Sequence, residues 1–163
     1  MKQLFLFFIL FFFISSSTFA QTIPQRIMGK VVKIVDGDTF DLLTTDSSKI
    51  RIRLNGIDCP ERKQDYYQVC KDALSQYVFG KNVILVTRGR DRWRRVIADV
   101  YINNESINYK MVKNGFAWHF KKYSKDKRLA EAEAEARKKE NGLWKMKDPI
   151  APWNQRKRIM KNG

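Results

Sequence analysis

The sequence predicts an α+β domain, mainly β: a five-stranded Greek-key barrel with three helices. Three observations predict it. Residues 27–57 hold three short runs rich in β-branched residues, separated by tight polar turns. The apolar period then changes from two to that of a helix across Tyr66–Val78. Two more strand-like runs follow before two helical ones, and the 163 residues suit one domain.

Ile27 to Val35 reads as the first strand. It stops at Asp36-Gly37-Asp38-Thr39, a strong turn signal. Turn chemistry alone accounts for such a sequence; a metal loop also does, with Gly37 bending the backbone so that two carboxylates point to one place. Phe40 to Leu43 is the second strand, and Lys49 to Ile57 the third. In the third, Ile50, Ile52 and Leu54 alternate with Arg51 and Arg53, so Arg53 faces away from the core. Gly56 and Pro60 then punctuate the chain around two carboxylates, Asp58 and Glu61. Tyr66, Cys70, Ala73, Leu74, Tyr77 and Val78 share one helical face, and Gly80 stops that helix.

Val83 to Val86 is the fourth strand. The loop Thr87–Arg95 carries five arginines in nine residues, with one Trp. It is either a solvated charge cluster or a phosphate-binding loop, in which Arg90, Arg92 and Arg94 contact phosphates and Trp93 stacks on a base. Val96, Ala98, Val100 and Ile102 alternate as the fifth strand, and that parity puts Arg95 on the non-core side. Glu105 to Asn114 reads as a short helix closed by Gly115. Ser124 is the expected N-cap of a longer helix, Lys125 to Glu140, ended by Asn141-Gly142. From Lys145 the chain reads as irregular, and residues 149–163 as a basic tail following a domain of residues 21–148.

The start of the chain has its own pattern. Met1-Lys2 is positive, Leu4 to Ile14 is an unbroken apolar run, and Ser15 to Ala20 is small and mostly polar. This predicts a secretory signal peptide over residues 1–20, cleaved after Ala20, and a secreted or periplasmic protein without a stable membrane anchor. An oxidising compartment allows a Cys59–Cys70 disulfide; two unpaired thiols are the other reading. Two cysteines and one histidine are poor material for zinc, so any metal is expected on oxygen ligands. The net charge is +15, or +14 without residues 1–20, which hold one Lys and no acid. Such a balance calls for a polyanionic partner without choosing among nucleic acid, membrane and polysaccharide.

Five short strands with a helix between the third and fourth match the OB-fold, a barrel that binds oligonucleotides. Three motifs carry a closer resemblance: Asp36-Gly37-Asp38-Thr39, Arg53 through Asp58-Cys59-Pro60-Glu61, and Asp91-Arg92-Trp93-Arg94-Arg95. In this order, over residues 27–144, they resemble the staphylococcal (thermonuclease-like) nuclease family. The resemblance implies a calcium-dependent phosphodiesterase acting on DNA and RNA and leaving 3′-phosphates. It implies Asp38 and Asp58 as Ca²⁺ ligands with the backbone carbonyl of Cys59, and Asp36 in the outer shell. It gives Glu61 the part of general base or water-orienting group, and Arg53 and Arg95 the binding of the scissile phosphate.

Two positions depart from the family's usual pattern. Cys59 stands where a small residue or Thr is usual, and Arg94 stands where Gly is usual, which bears on the aim of Arg95. Trp118 and Tyr123 are candidate base-stacking or packing groups, and His119 reads as structural. The chain is expected to be a monomer with no obligate protein partner. The alternative reading is a non-catalytic OB-fold module that binds nucleic acid; such a module needs the arginines and aromatics, but not Asp38, Asp58 and Glu61 together.

Overall fold

Alternating buried and exposed residues build the strands of this computed structural model, which describes residues 25–162. The expected signal peptide lies outside the described residues. β1 (Arg26–Ile34), β2 (Thr39–Thr44) and β3 (Lys49–Leu54) form an antiparallel meander, followed by a two-residue strand, β4 (Ile57–Asp58). Helix α1 (Tyr67–Val78) leads into β5 (Asn82–Arg90) and β6 (Val96–Ile102), which pair antiparallel. β5 returns to lie beside β1. β6 runs parallel to β3, with Arg53 opposite Ile97, and this pairing closes the five long strands into a barrel. This is the five-stranded barrel that the sequence predicts.

The barrel interior is apolar. Val31, Phe40, Leu42, Ile52, Leu54, Leu85 and Val100 are all buried, and each such side chain contributes roughly 1.5–3 kcal/mol on leaving water. Leu74 and Val78 of α1 cover one part of it. Asn103 and Asn104, both at positive φ, make the tight turn from β6 into β7 (Glu105–Ser106). Helix α2 (Ile107–Lys113) therefore begins two residues later than expected, with Ser106 accepting a hydrogen bond from the Tyr109 amide. A buried Asn108 donates to the carbonyl of Asn55 and accepts from the Val100 amide, fixing the corner after β3.

β8 (Trp118–His119) pairs with β4, which places Trp118 opposite Asp58. Helix α3 (Lys127–Lys138) follows, capped by Asp126 rather than Ser124. The Asp126 carboxylate accepts from the Arg128 amide at 2.8 Å, while Ser124 Oγ accepts from the Asp126 amide. After a 3₁₀ turn (Gly142–Lys145) the chain forms a fourth helix, α4 (Pro152–Asn162). This corrects the expectation of an irregular end and of three helices. Pro152 does not break structure here; it occupies the first helical turn, where its missing N–H costs nothing.

Two glycines lock α3 to α2. Gly115 and Gly142 both have positive φ, and a Cβ on Gly115 would lie 2.0 Å from the carbonyl oxygen of Asn141. The Leu143 amide donates to the Gly115 carbonyl at 2.8 Å across this contact. Gly115→Ala meets both backbone strain and a clash with backbone atoms. It is expected to cost about 3 kcal/mol and to lower the melting temperature by roughly 6–12 °C, read by circular dichroism.

Candidate active site

One end of the barrel collects charged groups from three segments. The first is the turn between β1 and β2. Asp36 Oδ1 accepts from the Asp38 amide at 3.1 Å, and the Leu54 amide donates to the Asp38 carbonyl, so the turn is pinned to the end of β3. Gly37 is required for a reason other than the expected tight bend. A Cβ there would sit 2.9 Å from Cβ of Cys59 and 3.1 Å from Cβ of Cys70. Of the two readings of the cysteines, the structure has the unpaired one: both thiols are free and buried, and Cys59 Sγ donates to the Gly37 carbonyl at 3.2 Å. Burial raises the Cys59 thiol well above its ordinary value.

The second segment is the end of β3 with β4 and the loop beyond. Arg53 faces away from Ile52 and Leu54, as its parity requires, but its side chain is only 13% exposed. Nη1 donates to the carbonyls of Leu54 and Ile57. Nη2 lies 2.9 Å from Oδ1 of Asp58 and 3.1 Å from Oδ2 of Asp38. A single nitrogen therefore touches both carboxylates. Asp38 Oδ2 also accepts from the Cys59 amide at 2.8 Å, and Asp38 Oδ1 from the Thr39 hydroxyl. Burial, with the charge of Asp38 adding, pushes Asp36 up to about 7. Burial pushes Asp58 up to about 6, against bonds from Arg156 that favour its charge.

The third segment is the loop between β5 and β6. Asp91 accepts from the amides of Trp93 and Arg95 and from Nε of Arg95 at 2.7 Å. Burial works to raise the Asp91 carboxyl, but the bonds from Arg95 outweigh it and hold it below the usual range. Arg95 Nη1 reaches Thr39 Oγ1 at 3.4 Å, beside Asp38. Arg94 sits at φ +64°, so the loop keeps the left-handed geometry that a Gly would take freely. Arg92 stacks 4.0 Å over the Trp93 ring, which is 62% exposed, and Arg90 Nη1 donates to the Arg94 carbonyl.

The structure thus brings Asp36, Asp38, Arg53, Asp58, Glu61 and Arg95 together, with Arg90, Arg92, Trp93 and Arg94 on the adjoining exposed loop. Trp118 is a buried packing residue, edge-on to Trp144 at 4.4 Å and under the guanidinium of Arg137. Tyr123 is 69% exposed against Phe120. His119 is buried; neither ring nitrogen has a partner among the described residues, and burial lowers its pKa.

Four further groups belong to the site. Thr39 and Asp91 aim Arg95, and Gln64 accepts from the Glu61 amide at 2.8 Å. From α4, Arg156 forms ion pairs with Asp58 and Glu61. Asp91 lies inside a quoted motif and was findable by its spacing to Arg95. Arg156 had no signal beyond the positive charge of its stretch.

Among the described residues no three His, Cys, Asp or Glu side chains form a ready metal cage. The donors that do converge, Asp38 and Asp58, are carboxylates. Oxygen donors of this kind fit a hard divalent cation that keeps some of its water. Chemically, the set can hold such an ion, clamp an anion between two guanidiniums and offer Glu61 as a base.

Two outcomes follow from this geometry. Arg94→Gly is expected to relieve the left-handed strain, stabilising by about 0.5–1 kcal/mol and raising the melting temperature by roughly 1–4 °C. In divalent-free buffer, Asp36 and Asp58 hold protons in the fold that the unfolded chain releases near its ordinary value of 3.8. Their contribution to stability is therefore complete below about pH 4 and is lost as pH rises through about 6 and 7. Asp36→Asn is expected to make the melting temperature at pH 8 less depressed relative to pH 5 than in the wild type.

Comparison with known proteins gives the site its family. A family model described as staphylococcal nuclease homologue matches residues 51–146. An "Uncharacterized endonuclease" of Haemophilus influenzae is 43% identical over 132 residues, 80% of this chain and 74% of that protein. An "Uncharacterized endonuclease" of Escherichia coli is 41% identical over 134 residues, 81% of this chain and 86% of that protein. "Staphylococcal-like nuclease CAN1" of Arabidopsis thaliana is 41% identical over 140 residues, 86% of this chain and 42% of that longer protein. With a model that matches more than half of its length and bacterial relatives above 40% identity along four fifths of it, the chain belongs to the staphylococcal nuclease homologue family.

Proposed function

We propose that the protein is an exported, calcium-dependent endonuclease that hydrolyses phosphodiester bonds of DNA and RNA and leaves 3′-phosphate ends. The observation that carries this reading is the meeting of Asp38, Asp58 and Glu61 with Arg53 and Arg95 at one end of the barrel. Binding alone needs the guanidiniums and has no use for the three acids. Export rests on the charged, apolar and small-residue pattern of residues 1–20.

In this reading Asp38, Asp58 and the backbone carbonyl of Cys59 hold Ca²⁺, with Asp36 behind them. The bound ion supplies positive charge beside the phosphate and makes nearby water a better nucleophile. Arg53 and Arg95 bind the non-bridging oxygens and meet the extra negative charge of five-coordinate phosphorus. Each is already oriented, Arg53 by two carbonyls and Arg95 by Asp91, so little reorganisation is needed at the moment of reaction. Glu61 takes a proton from the attacking water. The water oxygen bonds to phosphorus, the bond from phosphorus to the 5′ oxygen breaks, and that oxygen leaves as a hydroxyl, taking its proton from solvent water. The arginine loop of residues 88–95 contacts neighbouring phosphates, and the exposed Trp93 ring offers a surface for a base.

The experiment is cleavage of single-stranded DNA across a Ca²⁺ titration against a chelator, with analysis of the product ends. Calcium-dependent cleavage to 3′-phosphates is expected. Glu61→Gln should lower turnover by roughly 10²–10⁴-fold with DNA binding near that of the wild type. Retardation of DNA without cleavage at any Ca²⁺ concentration would replace this reading with a binding module.

A further inference from the structure

Helix α4 has a packed root and an exposed tip. At the root, Ala151 and Pro152 are buried, and the Trp153 ring lies flat on Phe120 at 5.1 Å and edge-on to Trp118 at 5.6 Å. Gln64 ties this root to the acid loop: its Nε2 donates to the Ile150 carbonyl while its Oε1 accepts from the Glu61 amide. At the tip, Ile159 and Met160 are exposed and unsupported. Between them stands Arg156. Its Nη2 donates to Oδ2 of Asp58 at 2.7 Å, its Nη1 reaches Oδ1 at 3.3 Å, and Nη1 also pairs with Glu61 Oε1.

This fork covers both oxygens of Asp58 and one of Glu61. With Arg53 already on Asp58 Oδ1, the Asp58 carboxylate is surrounded by guanidinium donors. A hard divalent cation needs the same oxygens at about 2.3–2.6 Å and repels a guanidinium held against them. The two occupants exclude each other, and Arg156 also neutralises the one carboxylate placed to act as base.

We propose that Arg156 sets the cation threshold of the site: its guanidinium and a divalent cation compete for Asp58 and Glu61, and cation binding swings Arg156 and the tip of α4 off the acids. The inference rests on the calcium reading above. The root of α4 does not take part, because Trp153, Ala151 and Pro152 are held by packing. Without the cation, Arg156 offsets the charge of the acid cluster and keeps Glu61 engaged. With it, Glu61 is released, while Arg53 stays held through Nη1 by the carbonyls of Leu54 and Ile57, and Arg95 by Asp91.

The test is isothermal titration of the full protein with Ca²⁺ alone, for the wild type, Arg156→Gln and Arg156→Lys. It is paired with hydrogen exchange of the α4 amides with and without Ca²⁺. Arg156→Gln should bind Ca²⁺ roughly tenfold or more tightly, the size expected on removing a charge-assisted fork. Arg156→Lys, which keeps the charge and loses the fork, should fall between. In the wild type, Ca²⁺ should raise exchange in residues 157–161 while residues near Trp153 stay protected. Equal affinity in wild type and Arg156→Gln, or α4 exchange indifferent to Ca²⁺, overturns the competition while leaving the calcium reading intact. No Ca²⁺ binding by any of the three proteins overturns both. The wild-type exchange comparison needs no substitution, so it decides the matter even if a variant folds poorly.

Discussion

The Arg53 guanidinium is the interaction on which the charged end of the barrel depends. Two carboxylates, Asp38 and Asp58, are buried there side by side. Buried like charges repel and lose their water, and either effect alone favours protonation or unfolding. Nη2 of Arg53 bonds to both acids, and Nη1 satisfies the carbonyls on each side of the Gly56 turn. One side chain thus joins the β1–β2 turn, the end of β3 and β4. Breaking such a buried set by removing one partner typically costs about 3–5 kcal/mol, so the arrangement resists small disturbances.

Barrel closure explains why the groups meet. The parallel pairing of β3 with β6 sets Arg53 beside Ile97, which puts Arg95 at the same end as the β1–β2 turn. Thr39 is the Cα partner of Arg53 in β2 and touches Arg95 through its hydroxyl. Three segments far apart in sequence are thereby held within hydrogen-bond reach by backbone pairing. Side chains then aim the charges: Asp91 for Arg95, and Gln64 for the Glu61 loop. Acids sit at the centre and arginines around them, in a chain of net charge +15. Such a rim attracts polyanions, while acids at its centre attract cations. The place of Arg156 follows from the same balance, since a cluster of partly buried acids attracts a nearby cation, and α4 supplies one.

Much of this was determined by the sequence alone. Period-two alternation in 50–54 and 96–102 dictated which side Arg53 and Arg95 take, because a pleated strand leaves no other choice. Helical spacing in 66–78 and the Gly115 and Gly142 stops were legible for the same local reason. The order and spacing of the three motifs then pointed to the family. Other features were decided only by the tertiary structure, because they depend on contacts between distant residues. Gly37 is needed for the packing of Cys59 and Cys70 beneath it, with both thiols free. Trp118 is enclosed by Trp144 and Trp153 rather than open to a base. Arg94 takes a left-handed conformation because Asp91 binds the amides on both sides of it. Residues 152–162 become a helix because Trp153 finds Phe120 to stack on. Arg156 reaches Asp58, 98 positions away in sequence, a contact that no local pattern encodes.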